Sequence, residues 1–399
     1  MRWLALILAV ALLGAAAPAH AQSGGPGVRA PSAIVLEAST GDVTWSKGAS
    51  TPRSPASTTK LMTALLAAES IALDDVITAA DYRPAPIESQ IGLREGERMT
   101  ARDLLRALML ASANDAAVTL AVATSGSVPA FVDEMNARAE QLGLQDTRFT
   151  NPIGLDEGEN RSSARDLARL ALEVRKNEFL RRTADLPRAT LQSGARKRTI
   201  QNRNRLVRFV PDVNGMKTGH TTKAGYVLVG SMTRGGVTVV STVMGDPSEA
   251  ARDDDTLKLL RYGAARYERA SLVKRGATLA RADLKYRTEQ VRLVAGRGAE
   301  RVLRRGRQPT LKVIGAPRDV DGPLTACSVV GRVEASVDGE VVARVQLVTA
   351  TAVEEAGLST RLGALLRESS TLLLIAGVVI CTLSLVLLRR RVVRRGVRA

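Results

Sequence analysis

SPASTTKLMTALL, residues 54–66, runs from a serine- and threonine-rich segment straight into an apolar helix. Inside it Ser57 and Lys60 stand three residues apart, and residues i and i+3 share one face of a helix. Lys60 can therefore reach the hydroxyl of Ser57. The pair has a plain structural alternative, in which Ser57 caps the helix and Lys60 points to water. The chain also holds a second such pair, Ser271 and Lys274 in SLVK. The spacing by itself does not decide between a site and a cap.

On the N-terminal side of this stretch, SAIVLEASTGDVTW alternates in character and turns at Thr40-Gly41-Asp42, the pattern of a hairpin. On its C-terminal side, helix patterns dominate from about 55 to 183. Strands return at GYVLVGSMT and VTVVSTVMG, joined by Arg234-Gly235-Gly236, and DDDTLKLLRYGAARYERA reads as a helix closing the region near 270. Outer strands with helices between them imply an α/β (α+β) sheet domain with a helical insertion over residues 32–270. Short strands alone follow over 275–350, among them a hairpin around Asp338-Gly339. Residues 351–368 set Leu358, Leu362, Leu365 and Leu366 on one helical face, either to pack on the β domain or to lie on a membrane surface. No internal repeat is visible.

The ends place the body outside the cytoplasm. Residues 1–21 have a basic start, an apolar stretch and a small-x-small end at Ala19-His20-Ala21, the pattern of a secretory signal peptide; residues 22–31 read as a flexible linker. Ser369 to Leu388 carries no charge, and about twenty helical residues span a bilayer core of roughly 30 Å. The tail RRRVVRRGVRA, residues 389–399, supplies six arginines that hold this end in the cytoplasm. The expected topology is an exported body with a single C-terminal membrane anchor.

Composition excludes several classes. A net charge of +17 invites a nucleic-acid reading, but aromatics make up only 3 % of residues and no binding motif appears. Part of the charge is the tail, and the rest suits an anionic envelope surface. Of the two cysteines Cys381 lies in the span, so Cys327 has no partner and the exported body must hold together by its core. No metal or cofactor is expected.

A serine hydroxyl is a poor nucleophile until a base takes its proton, and a desolvated lysine can be that base. A histidine base is hard to arrange, because His220 is the one histidine beyond the leader. Two further motifs follow in order. Ser112-Ala113-Asn114 interrupts two apolar helical runs, which puts Ser112 and Asn114 at a loop tip; a simple helix–helix turn would use the same residues. Lys217-Thr218-Gly219 follows Asn214-Gly215, read as a turn, and opens an edge strand able to pair with a peptide-like substrate. Gly219 permits close approach.

S-x-x-K, S-x-N and K-T-G in this order resemble the motifs of penicillin-recognising serine enzymes. The pair at Ser271 and Lys274 comes after the other two motifs and fails on order. The flanks EASTGDVTW, SPASTTKLMTALL, LMLASANDAAVTLA, FTNPIGLDEG, SSARDLARLA, NRNRLV and GMKTGHTTKAGY look like the low-molecular-mass penicillin-binding proteins that are serine-type D-alanyl-D-alanine carboxypeptidases, peptidase family S11. The resemblance runs from about residue 30 to 265 and extends to the later β domain and anchor. It implies a penicillin-recognising, β-lactamase-like catalytic domain, a small all-β domain and a transmembrane helix. It also implies a two-step acyl transfer on peptidoglycan stem peptides ending in D-Ala-D-Ala, blocked by β-lactam antibiotics. In that scheme Ser57 attacks, Lys60 is the acylation base, and the N–H groups of Ser57 and His220 form the oxyanion hole. Ser112 and Lys217 relay a proton to the leaving D-alanine. Asn114 holds the substrate amide, and Thr218 with Arg252 holds the terminal carboxylate. Arg203 matches another basic position of the cleft, and the His220 side chain is structural.

Two departures from the family pattern stand out. Ala113 replaces the frequent glycine of S-x-N, and the segment between Arg203 and Lys217 is slightly short. Three rivals share some of these features. A β-lactamase of the commonest class would carry an E-x-x-L-N glutamate, which is not found. A D,D-endopeptidase has nearly the same motifs. A non-catalytic penicillin-binding wall protein would not need all three motifs intact.

Overall fold

A computed structural model describes residues 25–367 and 369–396. The expected signal peptide, the start of the linker and the last residues of the tail lie outside the described residues. The chain divides into two compact units between Ala265 and Arg266, with the Gly235–Val237 turn assigned to the second.

The strands of the first unit are β1 (Ser32–Glu37), β2 (Val43–Lys47), β3 (Val76–Thr78), β4 (Arg98–Thr100), β5 (Arg188–Leu191), β6 (Arg198–Gln201), β7 (Val213–Thr221), β8 (Gly225–Arg234) and β9 (Val237–Asp246). Its helices are α1 (Lys60–Ser70), α2 (Ala101–Arg106), α3 (Asn114–Ser125), α4 (Val128–Gln141), α5 (Ala164–Lys176), α6 (Glu178–Ala184), α7 (Arg205–Phe209) and α8 (Glu249–Ala264). Five antiparallel strands form the main sheet in the order β2-β1-β9-β8-β7. The two ends of the domain therefore meet in the middle of one sheet, where Ala33 pairs with Val243. β7 is the outer strand, as K-T-G at an edge requires.

Helix α1 is the core of the insertion. Every residue from Lys60 to Ala67 is buried, against α3 and α5 among others. A helix that is apolar all round belongs inside, and each fully buried Leu or Met contributes about 1.5–3 kcal/mol. Lys60 is the first residue of this helix, so the packing that holds Leu61, Met62 and Leu65 also encloses its side chain. Other helices start where the sequence offers caps: Thr100 accepts from the Asp103 N–H, Ser163 from Asp166, and Ser248 from Ala251.

Four readings of the sequence need correction. Residues 25–31 do not form a free linker: Ala30 is fully buried, and the N–H groups of Arg29 and Ala30 donate to Asp255 Oδ2, the latter at 2.9 Å. The helix expected to reach 270 ends at Ala264, and Tyr267–Val273 is already a strand, because Tyr267, Leu272 and Val273 bury their side chains there. Asn214-Gly215 is not a turn ahead of β7 but an irregularity inside it, between Val213 and Met216. The helical region is interrupted by the β3–β4 hairpin, too short to show a period. The connection from β3 to β4 is held by Arg198, which grips both oxygens of Glu97 at 2.8 Å in a buried ion pair and donates to the carbonyls of Ile91 and Gly92. Arg198 holds the Glu97 carboxyl down at about 2.

The second unit is β10 (Tyr267–Val273), β11 (Thr278–Leu284), β12 (Gln290–Ala295), β13 (Ala299–Arg304), β14 (Thr310–Ile314), β15 (Asp319–Val320), β16 (Val329–Val337) and β17 (Glu340–Thr349), then α9 (Leu358–Arg367) and α10 (Ser369–Gly396). A six-stranded sheet, β14-β16-β17-β12-β11-β15, holds the hairpin expected around Asp338-Gly339, and β10 pairs with β13. The leucine face of α9 does not pack on these strands: Leu358, Leu362, Leu365 and Leu366 are all exposed. Among the described residues, one helix segment, Leu372–Arg390, is long and apolar enough to cross a bilayer. α10 continues past the expected Leu388 into the arginines.

Candidate active site

Ser57 sits in a single tight turn, Ala56–Thr59, that leads into α1. The turn is entered through Ala56 at φ +47°, a left-handed conformation costly for a residue with a Cβ. Two glycines permit it. A Cβ on Gly154 would stand 2.0 Å from the Ala56 carbonyl oxygen, and one on Gly219 would stand 3.0 Å from the Ser57 nitrogen. Gly219 thus keeps the space beside the Ser57 N–H open, a reason for glycine that the sequence could not specify.

The Lys60 ammonium nitrogen donates to Ser57 Oγ at 3.0 Å and to the Ile153 carbonyl at 2.6 Å. Burial pulls the Lys60 pKa down to about 7; Arg203 pushes the same way, while Glu88 and Asp115 oppose it. Ser112 occupies a left-handed position, φ 60°, between Ala107–Ala111 and α3. Its Oγ accepts from Lys217 Nζ at 2.8 Å, and Lys217 also donates to the Thr218 carbonyl. Lys217 is buried and held well below the usual lysine range, by burial first and then by Lys60, Arg203 and Arg252. Two pairs, Ser57–Lys60 and Ser112–Lys217, therefore set beside a hydroxyl an amine whose charge is disfavoured by burial.

Ser57, Ser112, Thr218, Gly219, His220, Arg203 and Arg252 line one open cleft of about 470 Å³, together with Ile87, Ser89, Arg205, Arg208, Tyr226 and Glu249. Arg252, one turn into α8, is 3 % exposed; it bonds Glu249 and Asp253, and its guanidinium lies 5.9 Å from the Tyr226 ring centre. Arg203 is exposed and donates to the Ala111 carbonyl at 2.8 Å. The His220 ring packs on Tyr226 with ring centres 4.1 Å apart and the planes tilted by 32°. Asn114 is at the head of α3 and donates to Glu88 Oε2 at 2.6 Å. Seven of the residues named for the site thus line the cleft, and Lys60, Lys217 and Asn114 are hydrogen-bonded to Ser57, Ser112 and Ser89 of its lining. Ser271 and Lys274 lie at β10, in the other unit.

Sequence reasoning missed Glu88, Tyr82 and the Ile153 carbonyl. No local pattern marks them: Ile153 acts through its backbone, and Glu88 lies in a loop 26 residues from its partner. Arg205 and Arg208 sit in NRNRLVRFV, where a row of arginines does not say which ones face the cleft. With Arg203 and Arg252 they put four arginines on the cleft, and Glu249 is the one acid among the described residues that line it.

The chain matches the family model described as D-alanyl-D-alanine carboxypeptidase over residues 18–248, and the model described as Penicillin-binding protein 5, C-terminal domain, over 267–355. It is 32 % identical to D-alanyl-D-alanine carboxypeptidase DacF of Bacillus subtilis, covering 89 % of this chain and 95 % of that one. Among solved structures it is similar to penicillin binding protein 5 from Haemophilus influenzae, with 30 % identity, a TM-score of 0.61, and coverage of 83 % of this chain and 99 % of the other. The Streptomyces K15 DD-transpeptidase is 36 % identical with a TM-score of 0.57, over 61 % of this chain and 99 % of its own.

Proposed function

This chain belongs to the D-alanyl-D-alanine carboxypeptidase family, and we propose that it trims the terminal D-alanine from peptidoglycan stem peptides through an acyl-enzyme on Ser57. The observation that carries this reading is the pair of lysine–hydroxyl hydrogen bonds, Lys60 to Ser57 and Lys217 to Ser112, opening on one cleft. Neutral Lys60 takes the Ser57 proton as Oγ attacks the carbonyl between the two D-alanines. The developing oxyanion is met by the N–H groups of Ser57 and His220. Ser112 and Lys217 pass a proton to the departing D-alanine amine. Water then hydrolyses the ester and frees Ser57. Thr218 and Arg252 hold the substrate's terminal carboxylate, and the cationic rim of the cleft favours an anionic peptide. β-Lactams acylate the same serine. The body works on the outer side of the cytoplasmic membrane, held by α10.

The test is direct. Full-length protein in detergent should release D-alanine from a D-Ala-D-Ala stem peptide and bind a labelled penicillin covalently. Ser57→Ala should abolish both with the fold retained, and Ser271→Ala should change neither. Label surviving on Ser57→Ala refutes the assignment. Cleavage of cross-linked dimers faster than of the free peptide would favour the endopeptidase reading, and rapid turnover of penicillin the β-lactamase reading.

A further inference from the structure

Beside the cleft lies a second cavity of about 460 Å³, and the two share Arg203 and Arg208 as lining residues. Its other walls come from the loop ahead of β4, at Gln90 and Ile91, and from β6, where Gln201 is exposed. Arg203 is fixed through both backbone and side chain. Asn202 and Asn204 on either side of it are buried: Asn202 Nδ2 donates to the Ala184 and Leu186 carbonyls at 3.1 and 3.0 Å, and Asn204 Nδ2 to the Gly215 carbonyl at 2.9 Å. Arg203 between them is exposed. Its N–H donates to the Leu110 carbonyl at 3.0 Å and its Nε to the Ala111 carbonyl at 2.8 Å. Ala111 also lines the second cavity and is joined to Ser112 of the cleft, so the cavity opens beside the Ser112 end of the site.

The cavity is cationic. Among the described residues that line it three are arginines and none is acidic. Arg198 spends its charge on Glu97. Arg203 gives its Nε to an uncharged carbonyl, and the Arg208 guanidinium lies 5.0 Å from the Phe209 ring centre. Neither is paired with a carboxylate among the described residues. A ligand carboxylate would make charge-assisted bonds with both, roughly twice as strong as neutral ones.

We infer that this cavity is the subsite for the side chain of the released amino acid, and that it takes a side chain ending in a carboxylate. The inference rests on the acyl-enzyme reading above, in which Ser112 passes a proton to the departing amine and so marks the side on which the product leaves. The side chain of the released residue branches from the carbon that bears this amine, and so starts next to that end of the cleft. D-Alanine offers only a methyl group there and leaves the cavity unused. A stem peptide ending in an acidic D-amino acid such as D-glutamate would fill it.

The experiment uses full-length protein in detergent and stem-peptide analogues that differ only in the last residue: D-alanine, D-glutamate, D-glutamine or D-lysine. Wild type should release D-glutamate with a kcat/KM about tenfold or more above that for D-glutamine, which has the same shape without the charge. D-Lysine should be the slowest. Arg208→Gln should bring D-glutamate down to the level of D-glutamine. Gln201→Glu sets an acid into the cavity and should remove the preference for D-glutamate while speeding release of D-lysine. Gln201→Trp fills the cavity and should slow release of both D-glutamate and D-glutamine, with D-alanine release and penicillin labelling unchanged. Equal release of D-glutamate and D-glutamine by wild type overturns the inference. So does a D-glutamine rate untouched by Gln201→Trp, which would trace any preference for D-glutamate to the general field of the arginines. Failure of wild type to release any last residue or to take a penicillin label would instead refute the acyl-enzyme reading itself.

Discussion

The burial of Lys60 makes a quantitative prediction about pH. An ordinary lysine, at 10.5, is free base in only about one molecule in 3,000 at pH 7. At about 7 the same amine is free in half of the molecules. The packing of α1 thus raises the supply of base at neutral pH by roughly a thousandfold, less whatever the weaker base loses in proton affinity. If Lys60 takes the Ser57 proton, acylation by a labelled penicillin should rise about tenfold per pH unit below pH 6 and level off above pH 8, with its midpoint near 7. Lys60→Arg keeps a cation in place that never supplies a free base. It should lose at least about three orders of magnitude at every pH, with circular dichroism showing the fold. A wild-type midpoint near 10 would mean that the amine is solvated, and a Lys60→Arg variant within tenfold of wild type would mean that another group is the base.

Arg252→Ala should lower kcat/KM on a D-Ala-D-Ala peptide by about a hundredfold or more while Tm moves little, because a charge-assisted contact to the substrate carboxylate is lost. An unchanged kcat/KM would shift that role to Arg203. Asp246 is buried beside Asp255, and burial followed by Asp255 pushes its carboxyl up to about 7. The unfolded chain releases that proton near 3.8, so this group's contribution is intact below pH 4 and is lost as pH rises toward 7. Asp246→Asn should therefore be more stable than wild type at pH 8, by at most about 4 kcal/mol, with the gain vanishing near pH 4 in denaturant titrations. A less stable variant at pH 8 would refute this account, in which burial and the neighbouring Asp255 disfavour the ionised carboxyl. A chain ending at Glu368 should leave the membrane fraction and keep full activity on a soluble peptide. Retention on membranes would identify the exposed leucine face of α9 as a second anchor.

The sequence by itself determined whatever is local or ordered along the chain. Ser57 and Lys60 meet because three residues make most of a helical turn, and the β8–β9 and β16–β17 hairpins follow from alternation around tight turns. The charge-free run from Ser369 marks a candidate span by its length and lack of charge. The order of three short motifs separated Ser57 from Ser271. Tertiary structure decided what depends on distant segments. Ser112 and Lys217 touch across 105 residues, and Asn114 and Glu88 across 26, because the chain returns to one cleft after a helical excursion. The docking of Arg29 and Ala30 on Asp255 spans more than 220 residues, which is why a glycine-rich stretch read as a free linker. The burial that lowers Lys60 and Lys217 was equally hidden. Desolvation is a property of everything packed around an amine, and neither S-x-x-K nor K-T-G carries any record of its neighbours.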